Sequence, residues 1–171
     1  MYGYYPAELR DEVDRVNERV YATVNNGVYK AGFATSQEAY DKAVHPLFDS
    51  LGWIEGILSG NRYLAGDRLT EADWRLFTTI IRFDAVYHGH FKCNLRRIED
   101  YPNLSNWLRE LYQWPGIAET VDFTHIKHHY YASHRQINGT GSVPKGPAVG
   151  LERTHDRERL PGRGIWTRPQ R

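Results

Sequence analysis

The sequence predicts an all-α helical bundle. Apolar residues recur at spacings of three and four along several stretches, and helix-starting and helix-stopping residues sit between those stretches. No run alternates over enough residues to demand a strand. With 171 residues, the chain is long enough for one domain with a sizeable core.

The elements follow in order. Pro6 suits the first turn of a helix, and Leu9, Val13, Val16, Val20 and Val24 repeat at helical spacing behind it. Asn25-Asn26-Gly27 is the expected stop, and Val28 to Ala34 reads as a loop carrying two large rings. Thr35 and Glu38 have the spacing of a capping box opening a helix with Ala39, Ala43, Leu47, Leu51, Ile54 and Leu58 inward. Pro46 should kink or split that helix, and Ser59-Gly60-Asn61 should end it.

The stretch from Leu69 to Phe83 is the organising helix. Thr70 and Asp73 form a second capping box, flanked by Leu69 and Trp74. Ala72, Leu76, Ile80, Phe83 and Tyr87 make one apolar seam; Trp74, Phe77 and Ile81 make another. A helix apolar on two faces belongs at the centre of a bundle. Capping accounts for Thr70 and Asp73, which are read as structural. His88 to Asn94 breaks the pattern. A shorter helix is expected over 103–112 with Leu104, Trp107, Leu108 and Leu111 inward, then a turn at Trp114-Pro115-Gly116. A helical turn over 117–121 and a helix over 123–131 complete a domain of residues 1–147. Residues 148–171, with six arginines after Gly150, read as a charged, mobile tail.

Composition narrows the function. Twelve Tyr and five Trp point to a ring-rich core or pocket. A formal net charge of +1 gives no reason to propose a nucleic-acid or membrane partner, and Glu152, Asp156 and Glu158 dilute the arginines of the tail. The single cysteine allows no intrachain disulfide, and no apolar run approaches a membrane span. The first residues lack the regions of a secretory signal, so a cytoplasmic protein is expected. Cys93 has Lys92 beside it but no helix N-terminus to activate it, and is read as structural. His125, His128 and His129 fall on consecutive helical turns without a carboxylate or thiolate at the same spacing, so no metal site is assigned. They are read as solvated and partly stacked, and His88 and His90 likewise.

Several segments together resemble the C-terminal helical domain of a glutathione transferase, and specifically the xi class, the glutathionyl-hydroquinone reductases. They are Val24-Asn25-Asn26-Gly27-Val28-Tyr29-Lys30-Ala31-Gly32-Phe33-Ala34, Leu69-Thr70-Glu71-Ala72-Asp73, His90-Phe91-Lys92-Cys93, Pro115 to Val121, and His125-Ile126-Lys127 with His129-Tyr130. The resemblance spans roughly residues 4 to 147 in order, with a weaker likeness at His155-Asp156-Arg157-Glu158. It implies a helical bundle of the glutathione-transferase C-terminal type and a reaction that reduces glutathionyl-hydroquinones with glutathione as cosubstrate. No bound cofactor is implied; a homodimer is. It also implies that Tyr29 and Tyr130 contact the quinol; Phe33 either lines the same pocket or packs in the core. Tyr131, about 100° away on a helix, should face elsewhere. The family's catalytic cysteine lies in a Cys-Pro-Trp-Ala motif of an N-terminal thioredoxin-like domain, and the present sequence contains neither. The expectation is a substrate-binding half that is inactive alone; a non-enzymatic dimerisation or ligand-binding module is the competing reading.

Overall fold

The structure, a computed structural model, describes residues 3–162. After a 3-10 turn at Ala7–Leu9, the chain forms α1 (Arg10–Val20), α2 (Gly27–Gly32), α3 (Gln37–Gly60), α4 (Glu71–Arg82), α5 (His88–His90), α6 (Pro102–Tyr112) and α7 (Phe123–Ser133). Among the described residues there is no strand, only an isolated bridge between Tyr63 and Gly66. None of the described helices is long and apolar enough to cross a membrane. α1 packs on α4, α2 lies along α3, and α6 rests against both α3 and α4. The first seam of α4 is buried throughout, as are the inward residues expected of α6.

The Thr70–Asp73 capping box is formed, with the Thr70 N–H donating to Asp73 Oδ2 at 2.9 Å. Capping is only part of its work. The other carboxylate oxygen, Oδ1, accepts from the Leu64 N–H and from Trp107 Nε1, each at 3.0 Å. One buried carboxylate thereby joins the start of α4, the connector before it and the middle of α6. Burial pushes the Asp73 carboxyl up to about 6 against the pull of these donors.

Several boundaries differ from expectation. Gly27 does not stop the first helix: the chain continues through a π-helical turn, Tyr21–Asn25, into α2, so Val28 to Gly32 is helix. The two glycines differ: Gly27 has room for a Cβ, while Gly32 is held bare by close packing. A Cβ on Gly27 would sit 3.7 Å from Leu47 Cβ, and one on Gly32 would fall 2.2 Å from the Phe91 ring. Ser36, not Thr35, caps α3, accepting from the Ala39 N–H at 3.1 Å, while Glu38 pairs with Lys42. Pro46 does not split α3, because it lies on the exposed side, where water can take the carbonyl left without its N–H. The helix of α4 also runs on through a π-helical turn, Phe83–Tyr87, to His90, since Tyr87, His90 and Phe91 are all buried. It closes at Lys92, whose φ is 58°.

The reading of 148–171 as a mobile, solvated tail is corrected for its described part, 148–162. Leu151 and Arg157 are buried against the bundle. The Arg157 guanidinium donates to the carbonyls of Leu58 at 2.9 Å, Asn61 at 2.6 Å and Arg62 at 2.7 Å. These include carbonyls that the end of α3 leaves open, which a cation satisfies well. Composition hides this, because one arginine among six makes the contact. Residues 163–171, including Arg163, Arg168 and Arg171, lie outside the described residues.

Candidate functional site

Between α1, α4 and α7 lies an open cavity of about 920 Å³. One end of it is built by Tyr29 of α2, Tyr87 at the close of the second π-helical turn, and Tyr130 of α7. Both π-helical turns border the cavity, the first through Tyr21 and Asn25. A π turn inserts one residue into the helical repeat and re-aims the side chains that follow it, a device common at functional sites. Asn25 holds the two walls together, its Nδ2 donating to Thr79 Oγ1 at 2.5 Å and to the Arg75 carbonyl at 3.2 Å. At the other end Asn17 Nδ2 donates to Glu71 at 3.1 Å, and Glu71 pairs with Arg75 at 3.3 Å.

The three phenols form one chain. Tyr29 and Tyr130 share a hydrogen bond at 2.6 Å, and Tyr130 and Tyr87 another at 2.8 Å. Three O–H donors fill two bonds, so one donor is left over. Tyr87 is 2% exposed and its hydroxyl bonds Tyr130, with the Tyr29 hydroxyl also acting on it, whereas Tyr29 is 39% exposed. An unused donor is costly when buried and cheap at the cavity. The chain therefore runs from Tyr87 to Tyr130 to Tyr29, and the Tyr29 O–H is the one free for a ligand. Burial and this bonding hold the Tyr87 phenol far above its ordinary value, and burial first raises Tyr130 to about 12.

The geometry sorts the candidates. Tyr29 and Tyr130 come together although 101 residues apart, and Tyr131 turns away to pack on His90. Phe33 does not border the cavity; its ring lies against Phe91 at 5.5 Å and His134 at 5.2 Å. His125 and His129 border the cavity, while His128 borders a separate hollow with Lys127 and Lys145. The solvated reading of His90 is corrected: it is buried, 3.2 Å from His134 Nδ1, and its imidazole is pushed down to about 4, mainly by burial. Cys93 is fully buried, and burial lifts its thiol to about 12, the opposite of activation. Among the described residues no cluster of three or more His, Cys, Asp or Glu could hold a metal ion. Sequence reasoning assigned Tyr87 to the core. A tyrosine on a buried seam is itself a sign that its hydroxyl has a partner, though not of which one.

The bundle has the fold of a glutathione transferase C-terminal domain, and residues 37–110 match the family described as "Glutathione S-transferase, C-terminal domain". The more particular likeness is to the xi class. The chain is 62% identical over 148 residues to glutathionyl-hydroquinone reductase PcpF of Sphingobium chlorophenolicum, covering 86% of this chain and 47% of that protein. The glutathione-bound structure of YqjG, a glutathione transferase homolog from Escherichia coli K-12, matches with a TM-score of 0.90 and 56% identity over 92% of this chain and 51% of the other. A xi-class transferase from Natrialba magadii matches at 0.91 and 49%, over 94% and 49% of the two chains. The chain thus spans about half the length of the curated relatives it matches.

Proposed function

We propose that this chain is the quinol-binding part of a glutathione-dependent glutathionyl-hydroquinone reductase. The observation that carries the reading is the hydroxyl chain of Tyr29, Tyr130 and Tyr87 at the end of a ring-lined cavity. A hydroquinone offers a flat apolar ring with hydroxyl groups, and this wall offers phenol rings with one O–H to spare. Tyr29 holds a ring oxygen of the substrate, and Tyr130 and Tyr87 supply the donors that stabilise Tyr29 while it gives up its proton. In the keto form of the ring the new carbon–hydrogen bond is already in place. Breaking the carbon–sulfur bond then sends its electron pair onto that oxygen, and the Tyr29 proton neutralises it there; this is the acid assistance this end of the site provides. The sulfur chemistry, in which glutathione is oxidised to the disulfide, needs a thiolate; buried Cys93 does not supply it. Names of close relatives support the substrate class, and the glutathione in the YqjG structure supports the cosubstrate.

The test is binding of glutathionyl-menadiol to the purified chain, followed by quenching of its tryptophans. Binding is expected, weakened about tenfold by Tyr29→Phe, with no turnover when glutathione is added. Undiminished binding by Tyr29→Phe would remove its role, and turnover would overturn the reading of Cys93.

A further inference from the structure

Arg82 ends α4 between the main cavity and a second hollow of about 220 Å³ walled in part by Phe77, Ile81, Val121 and Ile126. Its guanidinium carries five N–H donors and a permanent charge. One donor goes to the Thr78 carbonyl, and among the described residues no carboxylate pairs with it. Asp122 borders the same second hollow and Glu71 the main cavity, but neither carboxylate lies within ion-pair distance of Arg82. Glu71 holds Arg75 and Asn17, and Asp122 accepts the His125 N–H at 2.9 Å. His125 and His129 bring no negative charge, and the buried phenols of Tyr87 and Tyr130 stay protonated. The field of Arg82 also reaches the tyrosine cluster, where it works against burial at the Tyr130 phenol. A half-buried cation without a carboxylate partner among the described residues thus stands beside a cavity lined by tyrosine and tryptophan rings.

We propose that the cavity takes its aromatic ligand as a monoanion, with an ionised phenolic oxygen against Arg82, so that this residue selects readily ionised phenols and hydroquinones over neutral rings of the same shape. The low-dielectric walls strengthen such a pair, and a neutral ring forgoes it. The inference rests on the aromatic-site reading above and adds the charge state of the ligand.

Two probes of nearly equal shape separate the two claims. The full chain is titrated with 4-nitrophenol and with its methyl ether, 4-nitroanisole, at pH values spanning the phenol's ionisation, with phenolate absorbance reporting the charge state. Bound 4-nitrophenol is expected to ionise about one pH unit lower than the free compound, and its phenolate to bind about tenfold more tightly than the ether. Arg82→Gln should abolish both effects and leave ether binding unchanged; Arg82→Lys should keep most of them. Phenolate and ether binding equally, in wild type and Arg82→Gln alike, would overturn the charge claim and leave the aromatic site standing. Failure of both probes to bind wild type would overturn the aromatic site and this inference with it. Equal loss of both probes in an Arg82→Gln protein of unchanged Tm would make Arg82 a packing residue and overturn the charge claim.

Discussion

Tyr29 and Tyr130 meet hydroxyl to hydroxyl at 2.6 Å across 101 residues of sequence, and Tyr87 closes the chain behind them. The direction assigned to these bonds ranks three single substitutions. Tyr130→Phe leaves the buried Tyr87 donor unused and should cost about 1–3 kcal/mol of stability. Tyr29→Phe takes away the acceptor of the Tyr130 O–H, itself only 5% exposed, and should cost somewhat less; Tyr87→Phe removes a donor with its bond, strands none, and should cost least. Urea unfolding of the three variants checks the order, and a Tyr87 variant that proves least stable would overturn the direction.

Gly32 is fixed by Phe91. Its missing Cβ would lie 2.2 Å from two atoms of that ring and 2.8 Å from Phe91 Cβ. Phe91 itself stacks on Tyr87 at 5.4 Å, so it cannot move without disturbing the tyrosine cluster. Gly32→Ala should destabilise by at least about 1–3 kcal/mol and weaken ring binding together. Paired measurements of Tm and probe affinity test whether both move.

Asp73 is a junction as well as a cap. Asp73→Ala would strand the Trp107 Nε1–H and the Leu64 N–H in the core, besides removing the box with Thr70. About 3 kcal/mol or more should be lost, beyond the roughly 1 kcal/mol of an ordinary cap substitution. Denaturant midpoints for Asp73→Ala beside Ser36→Ala, a plain cap, give the comparison.

His90 makes stability depend on pH. Its imidazole titrates near 4 in the fold, against about 6.5 when unfolded, chiefly because burial disfavours the charge. The unfolded chain therefore takes up its proton first as pH falls. The contribution is complete above about 6.5 and disappears as pH drops through 4. Asp73, raised from 3.8 to about 6, has the opposite sign: its contribution is complete below 3.8 and is lost as pH rises through 6. His90→Gln should flatten the acid loss of stability between these limits, measurable as Tm against pH.

Removing residues 148–171 should weaken the bundle. Arg157 would no longer hold the carbonyls of Leu58, Asn61 and Arg62, nor Gln113 Nε2 the Leu151 carbonyl. A lower Tm and faster amide exchange at the end of α3 are expected. An unchanged Tm would show that these contacts add nothing to stability.

Helical period, caps and a central helix apolar on two faces were legible in the sequence, because periodicity and capping are local properties of neighbouring residues. So was the pairing of Tyr29 with Tyr130, through resemblance to a family. The helix ends were less so. Gly27 looks like a stop although the helix runs on through it, and Pro46 looks like a break until its face proves exposed. The link from Asp73 to Trp107, beyond the cap it was expected to form, and the roles of Tyr87, Arg82 and Arg157 came only from tertiary structure. Each depends on groups far along the chain: a hydroxyl 43 residues away for Tyr87, an indole 34 away for Asp73, carbonyls as many as 99 away for Arg157. For Arg82 it depends on which carboxylates stay out of reach. Burial decides the energy of every polar group named here, and burial is set by the packing of the whole chain, which no single stretch of it encodes.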